Sequence, residues 1–390
     1  MGSHAIPDDV LELIFLRLGS QLSLLRAAST CKQWRRVVTG AGFLHRFRSL
    51  HGPPSFAGVY YDTPCRPRQR PDFVSSPWVD IDARFFSLDF LPDSELTPWA
   101  WRIQDSRGSL LLFDRLRHPR GSASYGDFVI CETLTKRYEM VDPLSWFKGF
   151  SISEAYLIDG ESGGIGMENF RVVFKLHTRG VHSTAAMLTM RSGRRQSWHR
   201  ISIDELFRNA GPSDQLVPSS VYWFNAGRSV AALDRSTGEF SSVLLPQVED
   251  WNFHKEMYGL TVIAGHDGTA RLVVLSWSCG DLMVFARLPQ GGGCGEWALA
   301  KRIRLWEVCR DLPGYAYDPL LFMSESALIH TDGTPVILIS PWRMKRWWFH
   351  LDVETVEVAP APDPDVATAY PCELPWPPTL RACTSCLGDV

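Results

Sequence analysis

Followed as hydrophobic and polar positions, the chain changes its period once. At the start, apolar residues recur three and four apart, the signature of amphipathic helices. "IPDDVLELIFLRL" begins at Ile6. Pro7 and the Asp8-Asp9 pair suit a helix start, since the acids sit at the positive end of the helix dipole. Leu11, Ile14 and Leu18 then make one stripe. Leu13, Phe15 and Leu16 fall largely off it, and the wheel leaves Leu13 and Leu16 open between the bundle interior and another face. Gly19-Ser20 ends this helix. "QLSLLRAASTC" predicts a second helix, with Leu22, Leu25 and Ala28 on one face and Leu24 and Ala27 beside them. "KQWRRVV" predicts a third, with Trp34, Val37 and Val38 among Lys32, Arg35 and Arg36. Gly40 and Gly42 close it before Phe43. A bundle of three short helices is too small to hide all these side chains by itself. The excess must meet either the rest of the chain or a helical partner protein.

A Pro/Arg-rich stretch from Thr63 to Pro77, containing Arg66, Arg68 and Arg70, reads as a solvated loop. Beyond it the helical period fades. Apolar runs alternate with polar turns: "GSLLLFDRL" then "DFVICETLTKRYEMVDP", "FRVVFKL" then "AAMLTMRSGRRQSWHRI", and "SVYWFNAGRSVAALDRSTGEFSSVLLP". Asp234–Gly238 and Arg191–Arg194 are hairpin signals, and Glu132–Thr135 and Asp352–Thr355 hold the same place in their units. The units recur roughly every 45–60 residues, as propeller blades do. The expected fold is a small all-α N-terminal bundle followed by an all-β domain, a β-propeller of about six or seven blades. A pair of large β-sandwiches is the alternative. Fifteen tryptophans suit wedges between blades.

Composition narrows the function classes. A net charge of −3 in 390 residues does not describe a dedicated nucleic-acid binder. Residues 1–50 nevertheless hold seven Lys/Arg against three acids, a local charge of +4 that leaves −7 for the remainder. This suggests an acidic protein partner for the first module at least as readily as nucleic acid. The start lacks the basic and apolar regions of a secretory leader. No apolar run reaches the ~18–20 residues of a bilayer span. Nine scattered cysteines fit reduced apolar fillers. These features predict an intracellular protein, cytoplasmic or nuclear.

Residues 5–47 resemble an F-box: a Pro-Asp opening, an Ile-x-x-x-Leu helix, a Leu-rich middle, and a Cys-Lys-x-Trp-Arg third helix with a following Phe. Ala28-Ser29-Thr30 departs from the larger aliphatic residue common before the Cys. The resemblance implies docking of a Skp-type adaptor through Pro7, Leu11, Ile14, Leu18, Leu24, Leu25, Cys31 and Trp34, and through it a link to a cullin–RING ubiquitin ligase. "DARFFSLDFLP", "WAWRIQDSRGSLLLF" and "FVICETLTKRYEMVDP" are similar to the F-box-associated region of large plant families found in grasses. That likeness implies a substrate-holding domain. The expected division is F-box at 1–50, linker and first strands at 51–95, F-box-associated propeller at 96–370, and a C-terminal tail at 371–390.

Nothing in the sequence asks for catalysis. Cys383-Thr-Ser-Cys386 lacks the second ligand pair of a structural zinc site. Gly160–Gly166 and Gly291–Gly295 lack the Gly-Lys-Ser/Thr ending of a phosphate loop. No Gly-x-Ser-x-Gly stretch stands in the strand-to-helix setting of a nucleophile elbow, and no histidines pair at i, i+4. No cofactor or metal is expected. "WRMKRWWFHL" (Trp342–Leu351) reads as a strand with Trp347 and Phe349 on one side and Arg346 and Trp348 on the other. Trp223, Trp251 and Arg343 are candidates for a substrate-binding mouth, because large aromatics and Arg dominate binding hot spots. The expected role is a non-catalytic substrate-recognition subunit of a Skp–cullin–F-box ligase. The alternatives are a ligand- or sugar-binding propeller or enzyme with an incidental helical prefix, and an F-box scaffold that sends nothing for degradation.

Overall fold

The computed structural model describes residues 6–19, 21–51, 56–62, 70–76, 82–92, 101–115, 128–141, 149–161, 163–177, 183–191, 194–202, 210–217, 219–225, 229–246, 260–276, 280–287, 297–315, 326–330, 335–341, 347–361 and 368–375. The first module has four helices: α1 (Asp8–Phe15), α2 (Gln21–Thr30), α3 (Lys32–Val38) and α4 (Ala41–His51). Leu11, Phe15, Leu24, Ala28, Val38, Phe43 and Phe47 form its buried core. Phe15 lies edge-on to Trp34, with ring centroids 5.1 Å apart, and to Phe43 at 6.5 Å.

This corrects the expected α1 stripe. The core side is Leu11 and Phe15, one helical turn apart, and not Leu11 with Ile14. The expected stop holds at Gly40, since α3 ends at Val38 and Gly40 N donates to Val37 O (3.2 Å), but not at Gly42. Leu44 N donates to Gly40 O, which opens α4, and Gly42 lies in its first turn. First-turn N–H groups have no intrahelical acceptor, so glycine is tolerated there.

Apart from a 3-10 turn at Ala83–Phe86 and a short helix at Leu305–Val308, the regular structure of the rest of the described chain is six antiparallel sheets. Five have four strands each in sequence order. They comprise β3 (Trp101–Arg107), β4 (Leu110–Arg115), β5 (Phe128–Glu132) and β6 (Arg137–Val141); then β7 (Ser151–Asp159), β8 (Asn169–His177), β9 (Ser183–Arg191) and β10 (Arg194–Ser202). Next come β11 (Ala210–Val217), β12 (Ser220–Asn225), β13 (Ser229–Asp234) and β14 (Phe240–Leu244); β15 (Leu260–Ala264), β16 (Ala270–Leu275), β17 (Asp281–Arg287) and β18 (Trp297–Arg304); and β19 (Ser326–His330), β20 (Val336–Pro341), β21 (Trp348–Asp352) and β22 (Val358–Ala361). The sixth sheet joins the two ends of the chain. Its order is β2 (Asp72–Ser75), β1 (Phe56–Asp62), β23 (Thr368–Glu373).

These sheets are the blades of a β-propeller. First strands meet from blade to blade: β3 with β7, β11 with β15, β15 with β19, and β23 with β3. Separate apolar cores fill the spaces between successive sheets. One holds Leu112, Phe128, Leu157 and Phe174; the next Tyr156, Ile158, Val221 and Trp223; another Tyr222, Phe224, Val262 and Leu272. A further core joins Ile263, Val273, Ile337 and Phe349, and the last joins Tyr60, Cys372, Trp101 and Phe113. Each fully buried aliphatic or aromatic side chain contributes about 1.5–3 kcal/mol, so every blade is stabilised chiefly by its neighbours.

The closing sheet draws on both flanks of the 96–370 span. Val59 pairs with Pro371 and with Val74. The Thr63–Pro77 stretch is therefore not all loop, since residues 72–75 form β2. Arg66 and Arg68 lie outside the described residues, and Arg70 pairs with Asp89. The three matching turns lie where the repeat places them, between the third and fourth strands of their sheets. In two of them an aspartate Oδ1 accepts two backbone N–H groups: Asp234 from Ser236 (2.7 Å) and Thr237 (3.0 Å), Asp352 from Glu354 (2.8 Å) and Thr355 (2.9 Å). No helix among the described residues is long and apolar enough to cross a membrane.

Candidate functional site

The site begins with what α1 does not bury. With Leu11 and Phe15 turned into the bundle, successive steps of about 100° carry Leu13 to the opposite side and Val10 and Ile14 to its flanks, and Ile6 stands just ahead of the helix. These four are 45%, 41%, 61% and 46% exposed. Exposed Pro7 adjoins them. Such an apolar ridge on a small bundle marks an interaction surface.

Polar ties hold the ridge at both ends. Gln33 Nε2 on α3 donates to Ile6 O (2.8 Å) and to Asp8 Oδ1 (2.9 Å), and Arg36 Nη2 donates to Asp8 Oδ2 (2.6 Å). The bonds from Gln33 and Arg36 keep the Asp8 carboxyl below its ordinary range. At the other end Arg46 on α4 pairs with Glu12, and His51 Nε2 lies 2.7 Å from Leu16 O. The His51 ring packs on Phe47 at 4.3 Å.

The residues expected at the adaptor face divide. Pro7, Ile14 and Cys31 are exposed, and Cys31 precedes α3 with extended backbone. Leu18 and Trp34 are half-buried against the core. Leu11 and Leu24, 1% and 0% exposed, close that core and have no surface to offer a partner. Leu25 lies in α2, with its side chain outside the described set. Ile6, Val10 and Leu13 were missed. Their signal is the helical spacing of Val10 and Leu13, on the side of α1 away from Leu11 and Phe15, with Ile6 just ahead of the helix.

On the propeller, Trp223 is not a mouth residue. It is buried in β12, and its Nε1 donates to Glu154 Oε2 at 2.6 Å. Lys175 Nζ donates to Glu154 Oε1 at 3.0 Å and sits 5.7 Å from the centre of the Trp223 ring. Trp223 thus wedges between the β7–β10 and β11–β14 sheets, and its size serves packing. Trp251 and Arg343 lie outside the described residues, as do Arg346, Gly291–Gly295, Cys383 and Cys386. Trp347 and Phe349 share a side, with ring centroids 5.1 Å apart, and Trp347 Nε1 donates to Pro313 O (2.9 Å). Gly160–Gly166 is the turn between β7 and β8, closed by Gly160 N to Gly164 O (2.8 Å). A depression of about 460 Å³ on the β19–β22 sheet is lined by Val336, His350, Asp352, Glu357, Val358 and Ala359. Among the described residues no cluster of His, Cys, Asp and Glu has metal-binding geometry.

Known proteins resemble parts of this chain. No curated protein matches the chain. Solved structures similar to it include a post-proline cleaving enzyme from Rickettsia typhi (10% identity, TM-score 0.37, 69% of this chain and 38% of that one). The WD40 domain of SCAP from fission yeast is similar at 10% identity and TM-score 0.34, over 69% of this chain and 57% of that one. The β-propeller domain of Cps50 (Swd1) from Myceliophteria thermophila is similar at 9% identity and TM-score 0.38, over 67% and 73%. The chain thus spans 38% and 57% of the lengths of the first two. Residues 4–50, which contain the bundle and its ridge, match the F-box-like family, so the chain carries an F-box-like domain ahead of its propeller.

Proposed function

We propose that this chain is the substrate-recognition subunit of a Skp–cullin–F-box ubiquitin ligase. The observation that carries it is the α1 ridge, Ile6, Val10, Leu13 and Ile14, left outside a bundle whose core is already complete, within a segment that matches F-box-like domains. A Skp-type adaptor covers this ridge and connects the chain to a cullin–RING module. The propeller holds a target protein. The chain contributes no catalytic group of its own, and rate comes from holding the target near a charged conjugating enzyme. Its place of work is the reducing interior of the cell, cytosol or nucleus.

The test is co-expression with a Skp-type adaptor and size-exclusion chromatography of the full chain and of a chain lacking residues 1–50. A one-to-one complex that requires those residues is the expected result. A folded chain that elutes apart from the adaptor would overturn the proposal.

A further inference from the structure

The lead-in to α1 has little to hold it in place. Pro7 stands at the helix start and makes no side-chain capping bond, and α1 is only eight residues long. Ile6, the first ridge residue, lies outside the helix. A segment that leads into a short helix with no side-chain cap opens at low free-energy cost unless something ties it down. Here the ties come from one face of α3. Gln33 and Arg36 are three residues apart and therefore neighbours on the helix surface. Between them they make one bond to the lead-in, 2.8 Å from Gln33 Nε2 to Ile6 O, and two to the first residue of α1, 2.9 Å from Gln33 Nε2 to Asp8 Oδ1 and 2.6 Å from Arg36 Nη2 to Asp8 Oδ2. Neither residue belongs to the apolar core, and the Arg36 side chain is 70% exposed. Their polar groups serve orientation and not packing.

We infer that Gln33 and Arg36 are positioning residues, which clamp Ile6 and Asp8 so that the Ile6–Val10–Leu13–Ile14 ridge meets its partner already ordered. This rests on the adaptor reading above. Ordering before binding spares the entropy cost that a loose segment incurs on docking, and charge-assisted bonds are the stronger kind for the purpose.

The experiment is a double-mutant cycle read by calorimetric binding of the full chain to a Skp-type adaptor, paired with amide hydrogen exchange of the unbound chain. Asp8→Asn and Arg36→Ala are each expected to weaken binding several-fold, and the double variant no further than the worse single one. Gln33→Ala combined with Arg36→Ala is expected to weaken binding about tenfold, with an unchanged melting temperature. In the same variant, the amide of Leu11, which donates to Pro7 O (3.0 Å) in the clamped segment, is expected to exchange faster while those around Phe15 keep their protection. Additive losses from Asp8→Asn and Arg36→Ala would mean that Arg36 touches the adaptor directly and would overturn the clamp. Unchanged exchange at Leu11 would overturn it as well. If the unaltered chain binds no adaptor, the adaptor reading falls by itself, and the exchange result alone decides whether the clamp exists.

Discussion

Arg235 Nη2 lies 2.6 Å from Oδ2 of Asp105, although 130 residues separate them. Arg235 stands in the β13–β14 turn and Asp105 in β3, with the β7–β10 sheet between. Both ends of the link also engage that middle sheet. Arg235 Nε donates to Leu157 O (3.1 Å), and Asp105 Oδ2 accepts from Leu157 N (2.7 Å). The side chains are 2% and 0% exposed. Removing one partner of such a buried pair leaves an uncompensated charge, which costs about 3–5 kcal/mol. Arg235→Ala should lower the urea unfolding free energy of the propeller by that amount. A loss below about 1 kcal/mol would refute a structural role for the link.

The three matching turns share a backbone requirement. Lys136, Gly238 and Val356 occupy the same position, with φ of 54°, 77° and 65°. Left-handed backbone costs a residue with a side chain roughly 1–2 kcal/mol. At Gly238 a Cβ would also come within 3.0 Å of Arg171 Nη1, which donates to Thr237 O at 2.8 Å. Gly238→Val is therefore expected to destabilise the protein by about 1–2 kcal/mol in thermal or chemical unfolding. An unchanged midpoint would contradict the turn assignment.

Asp234 and Asp352 link these turns to pH. Burial pushes both carboxyls up, but the Ser236 and Thr237 donors outweigh it at Asp234, and the Thr355 and Glu354 N–H groups with His266 outweigh it at Asp352. Both end below the ordinary 3.8. A depressed folded value means stability that is complete above the ordinary value and lost as pH falls through the folded one. Asp234→Asn should therefore be less stable than the parent at about pH 7, and the gap should narrow near pH 3. Unfolding curves at both values check this, and a gap that widens in acid would contradict the sign.

Neighbouring positions on α1 should behave in opposite ways. Ile14→Asp and Leu13→Asp change exposed ridge positions, so adaptor binding is expected to be lost with little change in bundle stability. Phe15→Ala empties the core and is expected to cost about 3–5 kcal/mol. Trp34→Ala should do some of each, since Trp34 is half-buried against Phe15. Melting curves beside pull-downs separate the cases.

The thiols give a probe independent of function. Burial pushes Cys309 and Cys372 up to about 12, and it raises Cys131 as well. Cys31 is exposed. Since the thiolate is the reactive form, iodoacetamide at about pH 8 should label Cys31 in the folded chain and spare the other three. Peptide mass spectrometry reads this directly, and early labelling of Cys372 would mean that the closing sheet opens.

What was legible in the sequence was whatever depends on near neighbours in the chain. The Pro7-Asp8 helix start and the turns at Glu132, Asp234 and Asp352 follow from local backbone chemistry, and they repeat often enough to suggest blades. Distance along the chain hid the rest. Trp223 has the composition of a binding residue, and only Glu154, 69 residues away, reveals it as a wedge. The role of Phe15 turns on which α1 face meets Leu24 and Phe43, which helical spacing alone does not decide. Residues 72–75 read as loop because prolines flank them, yet a short edge strand tolerates flanking prolines.

The closing sheet sets a schedule for synthesis. β1 ends at Asp62 and its partner β23 begins at Thr368. At about 5–20 residues per second, the ribosome delivers that partner on the order of 15–60 s later. For that interval one side of β1 offers unpaired N–H and C=O groups beside a growing chain. A product that ends before Thr368 lacks the last strand of that sheet, so it carries an open β1 edge that is a template for pairing with other chains.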